Sequence, residues 1–229
     1  MNTNILYYHS VCPKSRFVRI LMQELDFEAE IKIEEYWKFR DNFLKINPAG
    51  DLPILVTKNE KTNKPQIITG IFAIFEYVIH HRQNNFLIDQ NQYNMAEVRR
   101  LIEWCTVKMY NEVTMPLINE KIICYYRKDN SPNSQIIRNA KHNLNFHLEY
   151  LSMLLSENDW VAGNKISAAD LFFASHISTL DYLGEISWPN YQTLKHWYML
   201  IKSRPSFRNI LNEKITGFAP SNSYELLDF

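Results

Sequence analysis

No run of apolar residues in this sequence is long enough to cross a bilayer, so membrane insertion is not expected. Charge of one sign is missing as well: 25 basic residues meet 25 acidic ones, and the formal net charge is zero. A balanced chain lacks the bulk attraction that draws proteins to nucleic acid or to anionic membranes. Cysteine is scarce. Cys12, Cys105 and Cys124 make an odd set without metal-ligand spacing, which argues against a disulfide framework or a metal site and for a reducing compartment. No signal-peptide pattern precedes the first apolar run, and the expected location is cytoplasmic. What is present is 229 residues with a 46% hydrophobic fraction, enough for one large domain or two modest ones.

The chain is organised around Ile5 to Met22. Ile5 to Tyr8 reads as a short buried strand. Cys12 then stands directly before Pro13, a residue well tolerated in the first turn of a helix. Phe17, Val18, Ile20, Leu21 and Leu25 follow at helical spacing. A strand thus delivers a thiol to a helix N-terminus, where unpaired N–H groups and the dipole favour a thiolate or a bound anion. Lys14 and Arg16 add positive charge that would lower the thiol pKa. With Arg19 they outline a basic groove at the helix end.

Phe27 to Ile33 alternates as a half-exposed strand, and Trp37 to Ile46 reads as a short helix. Pro53 stands at the entry to a strand, Ile54-Leu55-Val56, as a proline in a sheet must. Residues 57 to 66 are polar and predict a hairpin loop leading to Ile67-Ile68. Ile71, Ile74, Phe75 and Val78 make one helical face that ends near His80-His81. Adjacent histidines on a helix point different ways, so this pair reads as a helix end complementing the dipole rather than a metal site.

Residues 83–94 are rich in Asn, Gln and Asp and read as a linker between an N-terminal unit, 1–82, and an all-α unit, 95–229. Val98, Ile102, Cys105, Met109 and Val113 fall on one helical face, and Pro116 is expected to kink that helix. A second helix is expected from Ser131-Pro132, with Ile137, Ala140, Leu144, Leu148, Leu151 and Leu155 inside. Ser167 and Asp170 write a capping box, with Ile166 and Leu171 as its hydrophobic staple. An irregular tail is expected from residue 214.

The order strand, helix, strand, helix, hairpin, helix, with a thiol after the first strand and a proline before the third, resembles a thioredoxin fold. With the Ser167–Asp170 box after Gly163 and the break Ser203-Arg204-Pro205-Ser206-Phe207, it resembles the glutathione-transferase superfamily. The resemblance implies an α/β thioredoxin-like N-terminal domain followed by an all-α C-terminal domain. It also implies that Pro53 is cis and that Leu52 shows its backbone to a bound peptide. Cys12-Pro13-Lys14-Ser15 has the form of a one-thiol glutaredoxin site, in which Cys12 would attack a disulfide or Ser15 would activate glutathione. In the family an acidic residue followed by Ser or Thr opens the third helix and holds the γ-glutamyl end of glutathione. Here those positions carry Gly70 and Ile71, which argues against glutathione as a cofactor.

Within the superfamily, Ser15-Arg16-Phe17-Val18-Arg19, Glu97-Val98-Arg99-Arg100-Leu101, Leu180-Asp181-Tyr182-Leu183-Gly184 and the closing Tyr224-Glu225-Leu226-Leu227-Asp228-Phe229 resemble one branch in particular. These are the alphaproteobacterial transferase-like proteins that bind the tubulin-like division protein FtsZ, the FzlA group. That resemblance implies a homodimeric scaffold for FtsZ or other division proteins, with no glutathione chemistry. The alternative is a glutathione-dependent transferase or thiol reductase using Cys12 or Ser15. The candidate partner-binding residues are Lys14, Arg16, Leu52 and Pro53 in the old groove, and Tyr224, Leu227, Asp228 and Phe229 in the tail. Two readings of the tail stay open: aromatic anchors offered to a partner, or Tyr224 and Phe229 packed back onto the domain.

Overall fold

The computed structural model describes residues 4–59, 62, 64–81, 86–89, 91–128 and 131–229. They belong to two compact units, Met1–Asn85 and Phe86–Phe229.

In the first unit, β1 (Ile5–Tyr8) lies inside a four-stranded sheet and buries Leu6 and Tyr8. It pairs in parallel with β2 (Glu30–Ile33) and antiparallel with β3 (Ile54–Lys58), and β4 (Pro65–Thr69) closes the order β2-β1-β3-β4. Alternation along the strands gives the sheet two faces to cover. Tyr7, Ile54 and Val56 share one of them and pack with Phe43, Leu44 and Ile46 of α2 (Asp41–Ile46). The helices α1 (Pro13–Glu24) and α3 (Ile71–His81) meet through Phe17 and Phe75, whose ring centroids lie 6.0 Å apart.

Three boundaries depart from the sequence reading, each for a local reason. The second strand begins at Glu30 rather than Phe27, because Phe27 turns inward and sets its ring against Tyr77 and His81 of α3. The helix expected from Trp37 to Ile46 is split, because Phe39 adopts a left-handed φ of 45° between the 3-10 turn Tyr36–Lys38 and α2. The hairpin strands run further than expected, to Lys58 and from Pro65, which sits at the start of an edge strand. Residues 60, 61 and 63 of that hairpin lie outside the described residues.

The second unit opens with α4 (Gln92–Glu103), capped by Asn91, whose side chain accepts from the N–H groups of Tyr93 and Asn94. The helix therefore begins inside the 83–94 stretch read as linker, of which residues 83–85 and 90 lie outside the described residues. Helical backbone continues through Trp104–Thr114, α5 (Met115–Ile118), Asn119–Ile123 and α6 (Cys124–Arg127). Two wide turns carry i→i−5 bonds, from Met115 N–H to the Tyr110 carbonyl and from Cys124 N–H to that of Asn119. Pro116 follows the first wide turn, and the backbone remains right-handed helical on both sides of it. Val98, Ile102, Cys105, Met109 and Val113 are all buried, as their spacing predicts.

Helix α7 (Ser134–Glu157) starts later than Ser131, because Asn133 supplies the cap by accepting from Gln135 and Ile136 N–H. Its inner side is Ala140, Leu144, Leu148, Leu151 and Leu155, with Ile137 only half-buried and His147 added. At the centre of the unit is α8 (Ala168–Tyr182), buried at every residue, as expected for a helix enclosed on all sides. The box at its start is closed: Asp170 Oδ2 accepts from the Ser167 N–H at 2.8 Å and from its hydroxyl at 2.9 Å. Asp170 Oδ1 accepts in addition from Val161 N–H and from the Trp197 indole of α9 (Gln192–Lys202). After α10 (Arg208–Leu211) the chain is irregular, apart from an isolated bridge between Ile215 and Phe218. No described helix is long and apolar enough to cross a membrane.

Candidate functional site

The thiol stands where the sequence puts it. Cys12 is the N-cap of α1, with Pro13 at the first helical position, and Leu52–Pro53 is a cis peptide. Its chemistry differs from the sequence expectation. Cys12 is only 5% exposed, and its S–H donates to the Leu52 carbonyl at 3.7 Å. Burial pushes the thiol up, against the smaller lowering effects of Ser15 and Lys14, so the thiol rather than the thiolate is held at neutral pH. The Leu52 backbone that the resemblance offers to a peptide thus has its carbonyl oxygen facing the protein's own sulfur.

The basic groove is likewise not formed as expected. Arg16 is buried, and its Nε donates to the Ser10 carbonyl at 2.7 Å. Arg19 is buried with its guanidinium 4.5 Å over the Tyr8 ring. Ser15 is fully buried in the first turn of α1, which closes off the hydroxyl proposed to activate glutathione. Lys14 alone of the three cations keeps partial exposure. Helix α1 buries both arginines because its apolar stripe is wide, and long cationic stems pack readily when their heads find carbonyls or ring faces.

At the start of α3, Gly70 has φ +84°, a left-handed turn that glycine adopts without strain, and Ile71 is buried. No acidic residue lies in the first turn of this helix. Gly70 and Ile71 therefore offer neither the carboxylate nor the hydroxyl that the resemblance implies at these two positions.

The tail resolves both of its readings, residue by residue. Tyr224 is fully buried, donating from its hydroxyl to the Ile210 carbonyl at 2.9 Å and setting its ring against Tyr182. It is a packing residue, which removes it from the candidate partner surface. Phe229 packs too, its ring 5.0 Å from that of Trp188 and 4.4 Å from the Lys202 ammonium. Between these anchors Leu226 and Leu227 are 52% and 51% exposed, and Asp228 is exposed beside them. The anchors hold a short apolar and acidic segment outward.

Several buried polar groups escaped the sequence reading. His147 lies fully buried on α7, accepting from the Trp104 indole at Nδ1 and facing Glu112 Oε2 at 3.1 Å from Nε2. Two hydrogen bonds of that kind require the neutral ring. Lys202 and Asp181 are buried together under the tail. The only sequence signal for either was a charged residue within an apolar helical stripe, and for Lys202 a helix-end lysine reads first as a dipole partner. Among the described residues no three His, Cys, Asp or Glu side chains come together as a metal site would need.

Comparison with known proteins bears on both units. The family model "Glutathione S-transferase, N-terminal domain" matches residues 11–81, and "Glutathione S-transferase, C-terminal domain" matches residues 118–214. FtsZ-localized protein A of Caulobacter vibrioides (strain NA1000 / CB15N) is 35% identical over 226 residues, covering 98% of this chain and 97% of that protein. Among solved structures, FzlA from C. crescentus superposes with a TM-score of 0.93 at 33% identity, covering 99% of this chain and 100% of its own. A crystal structure of a glutathione S-transferase from Sinorhizobium meliloti 1021 gives 0.91 at 38% identity with the same coverage.

Proposed function

This chain belongs to the glutathione S-transferase superfamily, and from that membership we propose that it is a non-catalytic scaffold that binds FtsZ and organises its filaments in cell division. It acts in the cytoplasm as a homodimer. The observation that carries the reading is the start of α3. Gly70 and Ile71 cannot make the charge-assisted contact to a γ-glutamyl group, a loss of about 1.5–3 kcal/mol, or roughly ten- to a hundredfold in affinity. The thiol end of the groove is also closed, with Cys12 protonated and Ser15 buried. Similarity over nearly the whole chain to FtsZ-localized protein A supports the partner. The tail segment Leu226-Leu227-Asp228, held out between two packed aromatics, is the surface assigned to it.

A second reading, a glutathione-dependent transferase or thiol reductase, is favoured by the position of Cys12 at a helix N-terminus and by the high similarity to a structure named as a transferase. Calorimetric titration with glutathione separates the two. The scaffold reading expects no saturation at millimolar glutathione, while a micromolar dissociation constant would sink it. Electron microscopy of FtsZ assembled with the purified protein reads the positive side: bundled or curved filaments are expected, and unaltered filaments count against the scaffold.

A further inference from the structure

The tail covers a buried cation. Lys202, the last residue of α9, has a fully buried side chain. Its Nζ donates one hydrogen bond, to the Ser223 carbonyl at 2.7 Å, and faces Asp181 Oδ2 at 3.7 Å. The other neighbours of the ammonium are ring faces: Phe229 at 4.4 Å, Tyr198 at 5.4 Å and Tyr224 at 6.0 Å. Asp181 Oδ1 is already taken by the Trp188 indole at 2.9 Å and the Ser223 hydroxyl at 2.7 Å. An ammonium has three N–H donors and a large hydration energy, and here one carbonyl, a carboxylate beyond hydrogen-bond distance and aromatic faces replace its water. Two of those rings and the carbonyl belong to the tail. Lifting the tail would return water to the ammonium.

From this geometry we propose that Ser221–Phe229 is a hinged cover over Lys202, and that solvation of the exposed ammonium drives its opening. The titratable and charged groups around the seat are Asp181 and Tyr182 from α8, Tyr198 from α9, Lys195 of α9 at 5.0 Å over the Phe229 ring, and Tyr224 from the tail. Glu225 is drawn away toward Lys214. Burial lowers the Lys202 amine from 10.5 to about 8, with Asp181 opposing the shift. The sign follows. The docked state holds its proton less tightly than the open state, so rising pH favours docking between those two values. An open-state amine at its ordinary value makes the opening constant fall roughly 30-fold from pH 7.0 to 9.5. The opening does not involve FtsZ; only its consequence, that docking presents Leu226 and Leu227 and opening withdraws them, rests on the function proposed above.

Hydrogen exchange of the Ser221 amide, which donates to the Tyr182 carbonyl of α8 when the tail is docked, reads the opening directly. After correction for intrinsic exchange, opening in the full-length protein should fall by the factor above between pH 7.0 and 9.5. The double variant Asp181→Asn/Lys202→Met, which removes both buried charges together, should lose that dependence. Opening that rises with pH, or an equal dependence in the double variant, overturns the proposal; the first outcome makes the ammonium an anchor. Should the double variant not fold, Lys202→Arg keeps a permanent charge and must also abolish the dependence, and persistence there overturns the proposal equally. FtsZ binding measured on the same samples keeps the two readings apart: a tail with the expected pH dependence and no FtsZ binding upholds the cover and refutes the partner surface.

Discussion

At the scale of single residues, position and environment pull Cys12 in opposite directions. The helix N-terminus and Lys14 favour the thiolate, and burial disfavours it more. Alkylation followed by mass spectrometry at pH 7.5 should therefore label Cys12 more slowly than the half-buried Cys124. Faster labelling of Cys12 would restore the redox reading. His147 gives a second test. Burial lowers its pKa below 6.5, with the Glu112 carboxylate opposing, so the unfolded chain takes up the proton first as pH falls. The stability contributed by the neutral ring is thus complete above pH 6.5 and declines below it. Thermal unfolding between pH 7 and 5 should lose less stability in His147→Gln than in the wild-type protein, and an equal loss would show that the ring is not held neutral.

At the scale of elements, the start of α8 is the best-determined feature of the second unit. Ser167→Ala should cost about 1 kcal/mol, near the usual value for a cap, read from the denaturant midpoint. Asp170→Ala should cost more, about 3 kcal/mol, because Val161 N–H, Ser167 N–H and the Trp197 indole all lose an acceptor in a buried place. An unchanged midpoint in either variant would contradict the closed box. This helix start was legible in the sequence because capping is a local code of four adjacent residues. So was the stripe Val98, Ile102, Cys105, Met109 and Val113, because periodicity survives whatever packs against it. The break at Phe39 and the inward turn of Phe27 were not legible, since each answers to a neighbour distant in sequence or to a local left-handed conformation. The site was legible in the same uneven way. Cys12, Gly70 and the tail were found by position and chemistry, whereas the burial of Ser15, Arg16, Arg19 and Tyr224 depends on tertiary packing that no local pattern reports.

At the scale of the whole molecule, the proposed function makes the transferase fold a platform rather than a catalyst. Both family domains are matched, yet the groups that would hold and activate glutathione are replaced at α3 and enclosed at α1. What the chain offers outward instead includes Leu226 and Leu227, clamped between Tyr224 and Phe229 on a well-packed helical unit. Paired leucines on a pre-ordered segment lose little entropy on binding, which suits a small hot spot on a repeating filament. Co-sedimentation with GTP-assembled FtsZ tests this claim most directly. The wild-type protein should pellet saturably with the polymer, and Leu226→Ser/Leu227→Ser should remain in the supernatant with its unfolding midpoint unchanged. A wild-type protein that stays in the supernatant, or a folded double variant that pellets as well as the wild type, would contradict the account.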